Sequence, residues 1–250
     1  MRRLTFIGVG TAAVAGLLHI GLLAYMLFER IPYPFDLEWE EGGMLCHALR
    51  LLEGRSIYAP PSADFISFLY TPFYPFILAA SSKVFGLSYF LGRCISSVAF
   101  LGAIFVVFCA VRRQVGKGWL GVGWGLAAAG LIASSFLHTG GWYDLVRNDS
   151  LFLALVTFGL YLLVYHYHSY RLVIVAGVMM GLAFLTKQTA SVFIVFSGVA
   201  LLFLNWRKLP GYVLTVGIVA GGTVLVLNYF SDGWFWRFIY EMHQNHDFYY

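Results

Sequence analysis

Charge is what this chain has least of. Only 11% of its 250 residues are Asp, Glu, Lys or Arg, under half the share found in soluble domains. Hydrophobic residues make up 60%. A soluble fold of this size could not hide so much apolar surface, because its own exterior must face water. Lipid removes that constraint, and the mean hydropathy of +0.77 points the same way. Cysteine is scarce too. Cys46, Cys94 and Cys109 have no metal or redox spacing and are expected as small buried residues. There is no Gly-x-Ser-x-Gly, P-loop, dinucleotide fingerprint or His-Glu-x-x-His. Nothing reads as nucleic-acid binding. No internal repeat is evident, which weighs against a transporter built from inverted repeats.

What is present is a series of long apolar runs. Crossing the hydrocarbon core takes about 20 mostly apolar residues in a helix. Candidate spans cover residues 4–28, 87–111, 119–137, 150–165, 172–186, 189–204 and 211–230. The fifth is short enough to be tilted or only partly crossing. The expected fold is all-α, a polytopic membrane helix bundle of about seven spans, forming one domain over residues 1–250. The first run is too long for a secretory h-region and has no convincing cleavage site after it, so it reads as an uncleaved anchor.

Basic residues in short loops orient such a bundle. With the N-terminus in the cytoplasm, the inner segments are 1–3, 112–118, 166–171 and 205–210. They hold Arg2, Arg3, Arg112, Arg113, Lys117, Arg171, Arg207 and Lys208, and no Asp or Glu. All 12 acidic residues of the chain fall in the other segments or at their edges. The acid half of this separation is no part of the positive-inside rule, so it calls for another explanation.

The outer segments carry the chemistry. The first, about 29–88, is too long to be structureless. It contains Asp36-Leu37-Glu38-Trp39-Glu40-Glu41, with Asp36 the expected N-cap of a helix over 37–53 ended by Gly54. Met44, Ala48, Leu51 and Leu52 share one side of that helix, with Glu38, Glu41 and His47 opposite, a pattern that suits the membrane surface. Then come Gly54-Arg55-Ser56-Ile57-Tyr58, Pro72-Phe73-Tyr74-Pro75 and a short apolar helix over 76–85. The second outer loop ends in Arg147-Asn148-Asp149 at the mouth of the fourth span. Asp149 reads as an N-cap there, or as a second acid facing the cavity of Asp36; the two roles are compatible. The third is short and contains Lys187-Gln188. Lys187 either snorkels to the interface or binds an anionic headgroup. Near the C-terminus His243, His246 and Asp247 offer a metal-like spacing, against the simpler reading of polar residues at an outer surface.

The order and sidedness of these pieces resemble the GT-C class of glycosyltransferases, in the branch of protein O-mannosyltransferases and lipid A aminoarabinose transferases. The resemblance spans nearly the whole chain, though each motif is short. It implies a polyprenyl-phosphate sugar donor, a lipid, glycan or protein acceptor, and transfer at the non-cytoplasmic face among membrane lipids. On this sequence it implies Asp36 as general base, with Glu38, Glu40 and Glu41 as rivals. Asp149 would position the acceptor or stabilise the base, and Lys187 with Arg147 would bind the donor phosphate. Glu40, Glu41, Gln188 and Tyr58 join them as expected substrate-binding positions. No cofactor is demanded, although an acid cluster is compatible with a divalent metal. Two departures stand out. The acidic residues are spaced more widely than in many relatives. The chain also stops at Tyr250, where members of the class continue, so a piece of a longer enzyme is expected. A transporter and a non-catalytic scaffold or fragment are the alternatives.

Overall fold

The computed structural model describes residues 2–116 and 118–244, whose regular structure is all helical, with no strand among them. The N-terminal half contains α1 (Arg2–Arg30), α2 (Trp39–Leu52), α3 (Phe73–Phe85), α4 (Tyr89–Val115) and α5 (Trp119–His138). It is followed by α6 (Asp149–His166), α7 (Tyr170–Thr186), α8 (Ala190–Asn205), α9 (Leu209–Val216) and α10 (Thr223–Phe230). A π-helical turn, Gly217–Gly222, joins α9 to α10. Among the described residues, five stretches are long and apolar enough to cross a membrane: Phe6–Arg30, Tyr89–Val115, Trp119–His138, Asp149–His166 and Ala190–Phe230. α7 is shorter, at 17 residues. The last stretch, 41 residues long, joins two of the spans expected from sequence. It breaks at Asn205, whose extended backbone (φ −163°) interrupts the helix. The two arms then fold back on each other: Tyr212 Oη donates to the Ile194 carbonyl at 3.3 Å, and Gly198 faces Leu209 and Tyr212.

Without a hydrophobic force between helices in lipid, close packing must hold them together, and small residues allow it. α1 runs parallel to α5, and a Cβ on Gly130 would come within 2.1 Å of the Gly16 Cα. α4 lies antiparallel to α5, with Phe100 and Phe136 in one cluster with Leu23, Leu27 and Ile104. α7 uses Gly177 and Gly181 to accept Thr215 and Val219 from the last arm.

These directions place the acids at one end of the bundle and an acid-free basic set at the other. One end collects Arg113, which donates to His166 Nε2 at 2.9 Å, and Lys208, whose Nζ lies 5.0 Å from the Tyr170 ring centroid. The other end collects the acids, capped by α2, α3 and the loop 139–148. Lys117, His246 and Asp247 lie outside the described residues.

Several local expectations are corrected. The N-cap of α2 is Glu38, whose carboxylate accepts from the Glu40 N–H at 3.0 Å, and not Asp36. α2 starts two residues later than expected and α3 three residues earlier, at Phe73. The polar side of α2 does not face water. Glu41 and His47 are buried, His47 donating from Nδ1 to the Gly43 carbonyl and accepting the Phe68 N–H at Nε2. That role requires a neutral ring, and burial, with the Arg50 charge, holds its pKa below the usual range. Cys46 is exposed rather than buried, and Cys94 and Cys109 are half-buried. Asp149 is not an N-cap; it is the first helical residue of α6, and its carboxylate is spent on two cations.

The layer over the bundle is pinned by one ion pair. Arg93, near the start of α4, and Glu41 of α2 both have side chains that are 0% exposed. A guanidinium has five N–H donors, and Arg93 uses every one. Nε and Nη2 reach Glu41 at 2.9 and 2.7 Å. The rest go to the carbonyls of Arg30, Tyr33 and Phe35. Glu41 is equally saturated, accepting also the N–H of Leu37 at 2.7 Å and of Val146 at 2.9 Å. Removing one partner of a buried pair strands the other and costs about 3–5 kcal/mol. We therefore expect Arg93→Leu and Glu41→Leu each to lower the thermal unfolding temperature of the detergent-solubilised protein sharply. The double variant should recover part of the loss. Two additive, small effects would remove this pair as the anchor.

Candidate active site

The loop after α5 turns at Gly140 and Gly141, both with left-handed backbone (φ +78° and +67°) that favours glycine. Arg30 grips this turn, meeting Asp144 at 2.6 and 3.1 Å and the Gly141 carbonyl at 3.0 Å. Glu41 holds the Val146 N–H, Ser96 Oγ donates to the Arg147 carbonyl at 3.3 Å, and Asn148 Nδ2 donates to the Thr186 carbonyl at 2.9 Å. Fixed on both sides, Arg147 projects over the Trp142 ring, 4.6 Å from its centroid.

Around Arg147 the expected site residues converge. Its Nη1 meets Glu38 Oε2 at 2.9 Å and Glu40 Oε2 at 2.8 Å. Its Nε meets Asp149 Oδ2 at 3.1 Å, and the other Asp149 oxygen holds Lys187 Nζ at 2.7 Å. The Arg147 side chain is only 6% exposed. The Arg147–Glu40 contact is close but misaligned, so Glu40 Oε2 is buried without a true hydrogen bond. Tyr70 Oη donates to Glu40 Oε1 at 3.3 Å.

The charges of this cluster are tuned by burial and by one another. Burial pushes the Glu40 carboxyl up; Arg147 opposes this but does not cancel it, and Glu38 adds to the rise. Glu41, one residue on, ends below the usual range, because Arg93 and the two backbone N–H groups outweigh the effect of burial. Burial works against the charge on Arg147, but Glu40, Asp149 and Glu38 overcome it and its pKa rises. Tyr70 is pushed up to about 12 by burial and by the Glu40 charge, so it stays a donor.

Other expected positions stand behind the cluster or apart from it. Gln188 Nε2 donates to the Leu69 carbonyl at 2.7 Å. Tyr58 is buried, donates to the Tyr70 carbonyl at 2.8 Å and packs edge-on against Phe235. Asp36 is exposed beside Gly42 and the Tyr89 hydroxyl; among the described residues no ion pair joins it to Arg147 or Lys187. Among the same residues, no three His, Cys, Asp or Glu side chains are grouped as a metal site requires. Sequence reasoning passed over Tyr70, Trp142 and the anchoring role of Arg93. Arg93 carried a signal, since a charge inside an apolar run demands a named partner. The other two carried none.

Two grooves of about 550 and 630 Å³ are apolar and lie along the helices. A smaller one, about 370 Å³, is lined by Pro72, Phe73, Leu185, Gly222 and Thr223 among others; Leu185 precedes Lys187 by two residues in the chain.

A family model described as dolichyl-phosphate-mannose-protein mannosyltransferase matches residues 70–236, about two thirds of the chain. The match contains Tyr70, Arg147, Asp149 and Lys187, and begins after the acidic residues of α2. No curated protein and no solved structure matches.

The Glu41 pKa gives the cap a defined response to acid. A depressed carboxyl stabilises the fold above its unfolded pKa, and loses that contribution as pH falls through the folded value. Protection of the cap amides against hydrogen exchange should therefore persist at pH 4.5, the ordinary glutamate value, and fail below it. Loss of protection well above pH 4.5 would contradict the assignment.

Proposed function

We propose that this chain, which belongs to the dolichyl-phosphate-mannose-protein mannosyltransferase family, transfers a sugar from a polyprenyl-phosphate donor to an acceptor hydroxyl at the non-cytoplasmic face of a membrane. The observation that carries the reading is the convergence of Arg147 and Lys187 with three carboxylates at the acid-bearing end of an apolar bundle. A lipid-linked phosphate needs cations at the boundary of an apolar region, and sugar transfer to a hydroxyl needs a base beside them.

In this reading Arg147 and Lys187 bind the donor phosphate and stabilise the charge it gains as it leaves. The acceptor oxygen attacks the anomeric carbon while the bond from that carbon to the phosphate oxygen breaks. The bonding pair departs with the polyprenyl phosphate, and the hydroxyl proton passes to a carboxylate. A single displacement of this kind inverts the anomeric centre. We assign the proton to Glu40. Its raised pKa suits a base, one oxygen lacks a hydrogen bond, and Tyr70 orients the other. Asp36, the base implied by resemblance, stands exposed and away from the cations. Asp149 positions Lys187 and Arg147. The groove ending near Leu185 suits the first isoprene units. The basic end of the bundle faces the cytoplasm.

Transfer from a polyprenyl-phosphate sugar in membranes tests the assignment. Glu40→Gln should reduce the rate by about 10²-fold or more, whereas Asp36→Asn should stay within severalfold of the native protein. The native rate should fall on acidification with a midpoint above 4.5, because a raised carboxyl captures its proton early. Loss in Asp36→Asn with activity kept in Glu40→Gln would return the base to Asp36. Orientation has its own test. In a Cys46→Ser background, a membrane-impermeant maleimide applied to intact cells should label Asp64→Cys and leave Arg171→Cys unlabelled. The reverse pattern would invert the topology.

A further inference from the structure

Arg147 has more partners than it has charge to share. Its Nη1 faces Glu38 and Glu40 together, its Nε faces Asp149, and Asp149 also holds Lys187. Three carboxylates thus meet two cations, an excess of one negative charge when all are ionised. An anionic phosphate cannot simply be added to such a set, because it would meet like charge at hydrogen-bond distance. It has to replace carboxylates that already occupy the cations.

The geometry allows such a replacement without unfolding the site. The Arg147 backbone is held by Ser96, and its guanidinium lies against Trp142. The side chain can therefore change partners in place. Glu40 is the most loosely held of the three acids, with a misaligned contact to Arg147 and a long bond from Tyr70. Glu38 keeps a second task, capping α2 through the Glu40 N–H, whichever way Arg147 turns.

Resting on the donor reading above, we propose that donor binding is an ion exchange. The donor phosphate takes Arg147 from Glu38 and Glu40, and that loss uncaps Glu40 as the base. The two glutamates then serve as internal anions. They keep the cations ordered while no donor is present, and they hold the base in a masked state until one arrives. Once the cation has moved to the phosphate, Glu40 loses its main counter-charge and becomes more basic, beside the sugar it must serve. The acceptor would be deprotonated only when a donor is in place, which limits wasteful reaction of the site with water.

The exchange makes a prediction opposite to that of a merely structural acid. The probe is polyprenyl phosphate without sugar, bound to the whole chain in lipid nanodiscs. Replacing a competing carboxylate should strengthen binding, so Glu40→Gln should bind the probe several-fold more tightly than the native chain while losing transfer. Glu38→Gln should shift affinity in the same direction, and Arg147→Gln should weaken it. Thermal unfolding of each variant identifies any that has lost its fold, and Glu40→Ala serves as the second replacement at the key position. Unchanged or weaker binding in folded Glu40→Gln and Glu40→Ala, with Arg147→Gln still harmful, overturns the exchange and leaves the donor site standing. Failure of the native chain and of every variant to bind the probe overturns the donor reading, and the exchange with it.

Discussion

A guanidinium inside an apolar helix is the constraint on which the rest of this structure depends. Arg93 sits in the first turns of α4, where its charge has no access to water. Such a group must be paired and fully hydrogen-bonded or it cannot be there. Its five donors take up the end of α1, the linker that follows it, and Glu41 of α2. Glu41 passes the constraint on by holding Val146 in the loop before α6. Four separate stretches of chain are thus tied to one point at the acid-bearing end.

The candidate site is the immediate neighbour of that anchor on both sides. Glu40 precedes Glu41, and Arg147 follows Val146. A rigid pair therefore places the candidate pair one residue away, the arrangement by which precise positioning is obtained from packed elements rather than free loops. The contrast between adjacent glutamates follows from the same geometry. Glu41 gains four hydrogen bonds and a lowered pKa, while Glu40 is buried with fewer partners and its pKa rises. In the proposed reading, residues with the same side chain thereby take opposite tasks, one structural and one chemical. A groove of about 370 Å³ between α3, α7 and the last arm includes Leu185, two residues before Lys187 in the chain.

Much of this was legible in the sequence, because bilayer physics writes in long words. Apolar runs of about 20 residues identify helices with little ambiguity, and the confinement of the acids to the outer segments survives as one acid-bearing end of the bundle. Arg147, Asp149, Lys187, Glu38 and Glu40 were all candidates before any geometry was known, and the structure brings them together. The finer points depended on long-range contacts that no local pattern encodes. Asp36 suits a cap by residue type, yet Glu38 takes the position where the chain bends around Arg93. Glu41 looked like a solvent-facing acid until Arg93 claimed it from 52 positions away. Tyr70 and Trp142 resemble any other interfacial aromatics. The apolar run 190–230 reads as two spans, and the reason it folds back is the backbone of Asn205.

The central claim is that Arg147 and Lys187 are the phosphate-binding cations of the site. An experimental structure of the full chain in lipid with polyprenyl phosphate bound tests it most directly. Phosphate oxygens are expected within hydrogen-bond distance of Arg147 Nη1 and Lys187 Nζ, with the Glu40 carboxylate withdrawn from the guanidinium. Phosphate bound elsewhere, with Arg147 still locked to Glu38, Glu40 and Asp149, would contradict it.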